Sequence, residues 1–500
     1  MTPDVLVIGS GFGGAVIAAR LAQRGLRVLV LERGPWWGPA GRAHDARERR
    51  EFPRGLGGWA SALRSVRWTR GVRAREWLLS RRGLYEVHAF RHLDVVTSSG
   101  VGGGSLIYTN VLEAPDDAFW GAFPPEIDAA EMRGHVDRVR AMLRPTPLPA
   151  SQLPEKNRAF ASATVAAGLG APRYPELGVV FGRDPDAPET VVNAAGVAQS
   201  TCTHCGCCII GCETRAKTTL DLTYVEVALR HGAELRPLCE VRALDRTADG
   251  WRVRYHDHRS GQDLNVTAPR LVLAAGSLNT IRLLFRARDH HRTLPGVPAA
   301  LGRGFSPNGD LLALGTGASM LADASRGPAL NAFVPITGEA GQRYIVGEVG
   351  TPLAGLPIPG PLRRRLARTV GLLAMGRDAS RGRLEFDGRG LRTDMGRSVD
   401  PALFAEIEDR LAEVARHYGP RWLFTNPPNG RGAPRIATVH PLGGAAMATS
   451  AETGVVDHRG QVFGHPGLYV ADGSVYPRAP GIPPSLTIAA LAERIAVMME

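Results

Sequence analysis

The feature that most constrains the fold of this chain is a glycine-rich segment near its N-terminus, residues 4–34, which reads DVLVIGSGFGGAVIAARLAQRGLRVLVLERG. An apolar run of β-formers leads into Gly9, Gly11 and Gly14, and a helical pattern follows at once. A second apolar run over residues 27–31 ends in Glu32. This order of strand, glycine turn, helix, strand and acidic residue predicts a dinucleotide-binding βαβ unit.

Each of these residues has a mechanical role in such a unit. Gly9 allows the tight turn, Gly11 lets the backbone approach a pyrophosphate, and Gly14 lets helix and strand pack closely. The acidic residue binds the adenosine ribose hydroxyls. The alternative, a glycine-rich turn without function, is disfavoured because strand, helix and acid all accompany the motif. The residues predicted to bind the dinucleotide here are Gly9, Gly11, Phe12, Gly13, Gly14, Glu32 and Arg33.

Length and composition indicate a large enzyme. The chain has 500 residues, of which 44% are hydrophobic and 22% charged. That size supports more than one core and favours two interleaved domains. The sequence contains no run of about 20 apolar residues of the kind that spans a membrane. Because the glycine motif begins within a few residues of Met1, we expect no signal peptide and a cytoplasmic location.

The formal net charge of +12 comes almost entirely from arginine, since Lys156 and Lys217 are the only lysines. Basic residues concentrate over residues 42–91, where they alternate with Trp59, Trp68 and Trp77. This mixture fits either peripheral contact with an anionic membrane or a solvated surface with a few buried tryptophans, and we favour the second. No recognition motif accompanies the charge, so we expect no nucleic-acid partner.

A second glycine cluster narrows the dinucleotide to a flavin. Residues 98–115, SSGVGGGSLIYTNVLEAP, concentrate glycine so strongly that backbone pressed against a ligand is implied. Together with the first motif, this segment resembles the glucose-methanol-choline (GMC) family of FAD oxidoreductases, closest to its bacterial cholesterol oxidase branch. The resemblance implies bound FAD, with Gly102, Gly103, Gly104 and Ser105 along the pyrophosphate and Tyr108, Thr109 and Asn110 beside the isoalloxazine ring.

The C-terminal quarter carries further motifs of the same family. Residues 437–450, ATVHPLGGAAMATS, resemble its HPLGG segment, and residues 467–496 resemble its closing strand, flavin-contacting turn and final helix. Alcohol oxidation needs a base for the hydroxyl proton, and a histidine suits that task. His440 is therefore the predicted catalytic base, against the alternative of a structural histidine. The other residues expected to bind FAD are Val241, Ala275, Gly276, Asp472, Gly473, Pro484 and Ser485.

The resemblance also implies the fold class. We expect an α/β protein with a Rossmann-type FAD-binding domain, of the type shared with p-hydroxybenzoate hydroxylase. This domain is expected to be interleaved with an α+β substrate domain built on an antiparallel sheet. We assign residues 1–40, 90–120, 200–303 and 432–500 to the FAD-binding domain, and residues 41–89, 121–199 and 304–431 to the substrate domain.

Two departures from the family weaken the case for a sterol substrate. Where relatives usually carry an asparagine or histidine that shares the substrate hydroxyl, this chain has Pro483, which has no side-chain donor. Glu339 and Glu348 lie in the substrate domain, but we expect surface carboxylates there, with no counterpart to the active-site glutamate of cholesterol oxidases.

The predicted function is therefore FAD-dependent oxidation of an apolar or bulky alcohol, with a sterol as one option. The first alternative is a flavoprotein of the same fold that performs no net oxidation, as an isomerase or lyase. The second is an electron-transfer or redox-sensing flavoprotein built around the cysteines.

Five of the six cysteines fall in residues 201–219, TCTHCGCCIIGCETRAKTT. The spacing of Cys202, Cys205, Cys208 and Cys212 matches the bacterial ferredoxin run, except that glutamate follows where proline is usual. We predict an iron-sulfur cluster on these four residues, with Cys207 or the distant Cys239 as alternative ligands. Zinc and a structural or redox-active thiol cluster remain alternatives. A cluster would favour a redox protein or quinone over O2 as the electron acceptor.

Overall fold

The structure, a computed structural model, describes residues 2–38, 49–71, 74–320, 323–339, 341–425 and 435–499. The predicted domain boundaries at residues 40/41 and 431/432 lie outside the described residues. The helices are Phe12–Gln23, Gly55–Ala60, Asp117–Trp120, Ala129–Leu143, Glu155–Ala166, Tyr224–Arg230, Ser277–Phe285, Gly360–Leu366, Pro401–Arg416 and Ser485–Met498.

A five-stranded parallel sheet forms the centre of the dinucleotide-binding half. Its strands, in spatial order, are Glu234–Arg236, Val28–Leu31, Val5–Ile8, Arg270–Leu273 and Leu468–Val470. The two motif strands are buried along their whole length, as expected for a parallel sheet covered on both faces. The helix Phe12–Gln23 packs beside them, against Tyr224–Arg230 and Ser485–Met498. The predicted βαβ unit and Rossmann-type domain are confirmed.

Close backbone packing explains two of the motif glycines. A Cβ on Gly13 would lie 1.5 Å from the carbonyl oxygen of Ala471, and a Cβ on Gly14 would lie 2.0 Å from that of Gly9. Gly9 itself has a φ of +96°, in the left-handed region that favours glycine. The first helix therefore lies nearer to the strand ends than any side chain would allow.

A second five-stranded sheet, entirely antiparallel, forms the centre of the other half. Its spatial order is Phe333–Thr337, Arg343–Val349, Val370–Gly376, Leu311–Thr316 and Trp422–Thr425. The helix Pro401–Arg416 packs on one face through its buried apolar residues. The opposite face carries Leu312, Val349 and Leu373, which line the cavity described below. An antiparallel substrate sheet is thus confirmed as part of the fold class.

A mixed sheet joins the two halves. Its order is Ile436–Thr438, Leu93–Ser98, Tyr85–Ala89, Leu63–Trp68 and Arg75–Leu78. Strands on both sides of the predicted boundary at residues 89/90 therefore share one sheet, and the domain boundaries stay a prediction. Trp68 and Trp77 are exposed near its free edge, so the expectation of buried tryptophans is wrong for these two. Trp77 lies on the edge strand Arg75–Leu78, whose four residues are all exposed, and Trp68 lies opposite Arg75 on the adjacent strand.

Smaller sheets complete the fold. The strands Cys239–Thr247, Gly250–Asp257 and Gln262–Ala268 form an antiparallel meander, and Arg303–Phe305, Gly382–Phe386 and Leu391–Thr393 form a second three-stranded sheet. Three short pairs are Thr146–Pro147 with Glu176–Leu177, Thr190–Val192 with Ala198–Ser200, and Trp36–Trp37 with Arg49–Arg50. Within the described ranges, no helix is both long enough and apolar enough to cross a membrane.

Candidate active site

A cavity of about 950 Å³ lies where the parallel, mixed and antiparallel sheets meet. Its volume is near the upper end of the range of about 300–1,000 Å³ that is usual for ligand sites. His440 lines this cavity together with most of the residues predicted to bind FAD. These residues are Gly9, Gly11, Phe12, Gly13, Glu32, Arg33, Gly103, Gly104, Tyr108, Thr109, Val241, Ala275, Gly276, Asp472, Gly473, Pro484 and Ser485.

Four predicted cofactor residues stand behind the cavity wall. Gly14 packs against the first strand, as described above. The Ser105 hydroxyl donates to the Gly102 carbonyl at 2.7 Å, and the Gly102 amide donates to the Ser10 hydroxyl at 3.2 Å. These bonds tie the second glycine loop to the first. Asn110 is fully buried, and its side-chain amide has no hydrogen-bond partner among the described residues.

Glu32 is held rigidly at the end of its strand. One carboxylate oxygen accepts from the Ser10 amide at 3.1 Å and from the Ser10 hydroxyl at 2.8 Å. The other accepts from the Gly34 amide at 2.8 Å. The carboxylate is therefore oriented by the backbone before any ligand arrives, which suits its predicted contact with a ribose.

The cavity wall fits FAD in two respects. Gly104 and Gly276 line it, and a Cβ on either residue would meet no protein atom within 4 Å, so open space lies beside the backbone. The helices Phe12–Gln23 and Ser485–Met498 begin at the wall, and no side chain caps their first amides. Uncapped helix amides favour the negative charge of a pyrophosphate or of a flavin ring.

Asp472 forms a buried anchor at the same wall. One of its oxygens accepts from the Ser474 amide at 2.9 Å and hydroxyl at 2.6 Å, and the other accepts from the Thr280 hydroxyl at 2.5 Å. Burial raises the pKa of the Asp472 carboxyl, while these hydrogen bonds favour its charged form. The turn that presents Gly473 to the cavity is thereby fixed.

His440 pairs with a carboxylate that sequence reasoning missed. Its Nδ1 lies 2.8 Å and 3.1 Å from the two carboxylate oxygens of Asp310. A carboxylate only accepts hydrogen bonds, so Nδ1 carries the proton and Nε2 is the free acceptor of the neutral ring. No hydrogen bond joins Nε2 to a residue in the described part of the chain. Asp310 is almost fully buried and precedes the strand Leu311–Thr316.

Thr438 closes a ring of hydrogen bonds around this pair. Its hydroxyl lies 2.6 Å from an Asp310 carboxylate oxygen and accepts from the His440 amide at 2.8 Å. Thr438 ends the strand Ile436–Thr438, so the histidine follows a paired strand. The imidazole is thus fixed in position and tautomer by two different sheets.

The wall next to His440 is apolar on the side of the substrate half. Leu312 lies two residues beyond Asp310 on the same strand, and Val349 and Leu373 lie on neighbouring strands. Pro483 also lines the cavity and offers no hydrogen-bond donor. In this region His440 is therefore the group suited to accept a proton from a bound hydroxyl.

The structure does not support the predicted iron-sulfur cluster. Among the described residues, no three or more His, Cys, Asp or Glu side chains lie together in a way that could hold a metal ion. Cys205 is exposed, whereas Cys207 is buried. Burial raises the pKa of the thiols of Cys202 and Cys212, whereas the hydrogen bond with Cys207 lowers the pKa of the Cys205 thiol to about 6. The zinc alternative lacks a ligand set for the same reasons.

A buried lysine attaches this cysteine loop to the cavity wall. Lys217 donates from Nζ to the Cys208 carbonyl at 2.8 Å and to the Leu106 carbonyl at 3.1 Å. Its ammonium also lies 4.7 Å from the ring centre of Tyr108, which lines the cavity. The loop therefore supports the second glycine cluster.

Glu348 is not a surface carboxylate, and that expectation is wrong. Its carboxylate lies 2.6 Å from Lys156 Nζ, and Asn157 donates to it at 3.1 Å. All three groups are buried, because the lysine neutralises a charge that the interior would otherwise not tolerate. Glu348 does not line the cavity, so it is no counterpart to an active-site glutamate. Glu339 is exposed, as expected.

The fold and the cavity together define the class of protein. A Rossmann-type domain that presents its glycine loops, its ribose-binding glutamate and two helix N-termini to one large cavity is a dinucleotide-binding oxidoreductase.

Comparison with known proteins gives the family. Residues 192–294 and 428–492 match family profiles described as GMC oxidoreductase, and residues 7–68 match an NAD(P)-binding Rossmann-like domain. A cholesterol oxidase of Mycobacterium tuberculosis is 30% identical, over 99% of this chain and 90% of its own length. A cholesterol oxidase of Acinetobacter baumannii is 27% identical, over 98% and 93%. A long-chain-alcohol oxidase of Arabidopsis thaliana is 25% identical, over 99% and 67%.

The chain belongs to the GMC oxidoreductase family, close to the cholesterol oxidase branch, and is a FAD-dependent enzyme. Among solved structures, a pyridoxine 4-oxidase from Mesorbium loti superposes with a TM-score of 0.64 at 18% identity, over 99% of both chains. That likeness confirms the α/β fold with its sheet-containing substrate half.

Proposed function

We propose that this enzyme oxidises the CH–OH group of an apolar or bulky alcohol, with His440 as the base. The proposal rests chiefly on one observation, the imidazole at the cavity wall whose Nδ1 is bound to Asp310. Bound FAD supplies the hydride acceptor for such a reaction.

The protein residues handle the proton. Nε2 of His440 accepts the proton of the substrate hydroxyl, and the ring becomes an imidazolium. The Asp310 carboxylate, 2.8 Å from Nδ1, then stabilises this cation through a charge-assisted hydrogen bond, which is stronger than a neutral one. Asp310 is therefore a positioning residue, since it fixes the tautomer that leaves Nε2 free and acts on the substrate only through His440.

The substrate class follows from the cavity wall. Leu312, Val349 and Leu373 offer an apolar surface beside His440, which suits an alcohol with a large hydrocarbon part. The names of the relatives, cholesterol oxidase and long-chain-alcohol oxidase, support this class, with a sterol as one option within it. Their designation as oxidases also supports O2 as the proposed electron acceptor.

Pro483 favours a second candidate function. Because Pro483 supplies no side-chain donor, a flavoprotein that moves protons without net oxidation, as an isomerase or lyase, would also fit this site. Reduction of the flavin by a substrate separates the two functions, because only the first requires it.

The test is anaerobic flavin reduction by a panel of long-chain alcohols and sterols. We expect at least one alcohol to bleach the flavin absorbance of the wild type, and His440→Ala to slow that reduction by about 10²-fold or more. His290→Ala is the matched control, because His290 is exposed and does not line the cavity. Bleaching at the wild-type rate in His440→Ala would refute the base assignment. A flavin that no alcohol reduces would favour the non-redox candidate.

A further inference from the structure

Two thiols of the cysteine loop lie in contact across a single glycine. The Cys207 sulfur lies 3.5 Å from the Cys205 carbonyl oxygen and within hydrogen-bond reach of the Cys205 sulfur. Gly206, between them, has a φ of +70°, and a Cβ there would lie 1.9 Å from the Ser325 carbonyl oxygen. The glycine turn therefore holds the two thiols beside each other at a fixed place in the fold.

The two thiols differ in access to solvent and in acidity. Cys205 is exposed, whereas Cys207 is 4% exposed. The hydrogen bond from Cys207 is the main cause that lowers the pKa of the Cys205 thiol to about 6, and Thr203 and Arg54 act in the same direction. Hydrogen bonding to Cys205 and burial raise the pKa of Cys207. Cys205 is therefore the accessible thiolate, and Cys207 is the protected thiol.

The same turn leads into the cavity wall. Cys207 precedes the short turn Cys208–Ile210, and the Ile210 amide donates to the Cys207 carbonyl at 3.0 Å. Ile209 and Ile210 line the cavity. Tyr85, another lining residue, donates from its hydroxyl to the Ile209 carbonyl at 2.9 Å. A movement of Cys207 would therefore reach the cavity wall within three residues of chain.

We propose that Cys205 and Cys207 are a redox-modification site, which hydrogen peroxide closes into a reversible disulfide that changes the adjacent cavity wall. An exposed, reactive thiol next to a second thiol that can resolve it is the arrangement found in redox-sensitive cysteine pairs. The buried partner is protected from the oxidant and reacts only with its neighbour.

The reaction balances with one molecule of peroxide. The Cys205 thiolate attacks one peroxide oxygen, the O–O bond breaks, and the leaving hydroxide takes a proton from solvent to become water. Cys207 then attacks the sulfur of this sulfenic acid, so that the S–S bond forms and the S–O bond breaks. The departing hydroxide takes the Cys207 proton as a second water. Two thiols have then lost two electrons to the peroxide.

The first step also prepares the second. The negatively charged Cys205 sulfur is one cause of the raised pKa of Cys207. Once Cys205 is a neutral sulfenic acid, this effect is gone, and the attacking thiolate forms more readily.

The proposed function would supply the oxidant within the enzyme. Reoxidation of a reduced flavin by O2 yields hydrogen peroxide, and the cysteine loop borders the cavity in which that reaction would occur. This source rests on the proposed function, whereas the modification site itself does not.

The first test counts thiols in the holoenzyme. The reduced wild type is treated with hydrogen peroxide, denatured and titrated with a thiol-specific dye. We expect it to lose two of its six thiols and to regain both after dithiothreitol. A wild type that keeps all six would overturn the proposal. Protein isolated with iron bound and with fewer titratable thiols would also overturn it, because the loop would then be a metal site.

Three serine variants identify the pair. Cys205→Ser should keep all its remaining thiols at the same peroxide concentration, because the accessible thiolate is gone. Cys207→Ser should stop at the sulfenic acid on Cys205, which dimedone traps and mass spectrometry detects. Cys208→Ser is the matched control, a neighbouring cysteine outside the pair, and should lose two thiols like the wild type. A disulfide that needs Cys208, or that forms without Cys205, would overturn the assignment.

The bound flavin reports on the cavity wall. Oxidation should shift the flavin absorbance of the wild type but not that of Cys205→Ser, and an unshifted spectrum in the oxidised wild type would overturn the effect on the wall. Flavin reduction by an alcohol should become at least about threefold slower after oxidation, because a displaced wall misplaces the substrate. Loss of two thiols in a protein whose flavin no alcohol reduces would support the modification site and count against the proposed function alone.

Discussion

At the scale of single residues, the two nitrogens of His440 have different environments. Nδ1 faces the buried Asp310 carboxylate, while Nε2 has no partner among the described residues. A neutral imidazole has one donor and one acceptor nitrogen, and the hydrogen bond of one determines the state of the other. The carboxylate thus leaves Nε2 as the acceptor nitrogen, which is the atom that takes the substrate proton in the function proposed above.

Asp310→Asn tests this assignment. An amide can donate to Nδ1, which stabilises the tautomer with its proton on Nε2, so we expect flavin reduction to slow by about 10²-fold with little change in KM. The pH dependence of the rate should also change, because the imidazolium loses its charged partner. Stopped-flow reduction across pH measures both effects. Thr438→Ser keeps the hydroxyl and serves as the control, and an unaltered pH profile in Asp310→Asn would contradict the positioning role.

The burial of Lys217 leads us to predict that the free energy of unfolding depends on pH. Burial lowers the pKa of this ammonium to about 8, from 10.5 in the unfolded chain. Between these values the unfolded state holds more protons, so the stability of the wild type should rise with pH from about 8 to about 10.5. Each unit of pKa difference corresponds to about 1.4 kcal/mol.

Lys217→Met removes this contribution. Urea unfolding of both proteins at several pH values measures this: the free energy of unfolding of the wild type should rise relative to that of the variant as the pH rises through that window. A constant difference between the two proteins would show that Lys217 keeps an ordinary pKa in the fold.

At the scale of elements, a glycine of the first helix and a glycine of the second glycine loop differ in role. Gly13 meets the backbone of Ala471, whereas a Cβ on Gly104 in the second loop would point into open space at the cavity wall. One position is limited by packing inside the protein, and the other is free for a ligand to approach.

Two alanine substitutions separate these roles. Gly13→Ala should destabilise the protein by about 1–3 kcal/mol or more, because the new methyl overlaps a carbonyl oxygen that cannot move without the strand. Gly104→Ala should leave the unfolding temperature of the apoprotein unchanged and weaken its affinity for FAD. Thermal unfolding and flavin titration measure the two effects. Equal unfolding temperatures for both apoprotein variants would contradict the packing argument.

The cysteine loop shows that the spacing of a motif does not by itself predict a metal site. Regular intervals between thiols suggested a cluster, but spacing says nothing about where each side chain points. The loop instead includes Gly206 and Gly211 at left-handed φ and is held by a buried lysine. The thiols follow those turns and form no ligand set in the described part of the chain.

At the scale of the whole molecule, the cavity is shared by the three principal sheets. FAD that fills it would bind only the folded chain and should stabilise it by mass action. We expect the holoenzyme to gain about 2.7 kcal/mol over the apoprotein when free FAD is 100 times its Kd. Thermal unfolding at increasing FAD concentration measures this gain. An unfolding temperature that does not change with FAD would show that the cavity is not its site.

The sequence by itself determined the cofactor half of this protein. The turn, the strand ends and the helix starts around Gly9, Glu32 and Asp472 are local features, and each can be recognised within a few residues of chain. Its resemblance to the GMC family also led correctly to the enzyme class and to an antiparallel substrate sheet.

Only the tertiary structure shows which residues pair with the buried charged side chains. Asp310 lies 130 positions from His440 in the chain, and Lys156 lies 192 positions from Glu348. The residues adjacent to these side chains in the sequence do not predict such pairs, because the partners come together only when separate strands and helices pack.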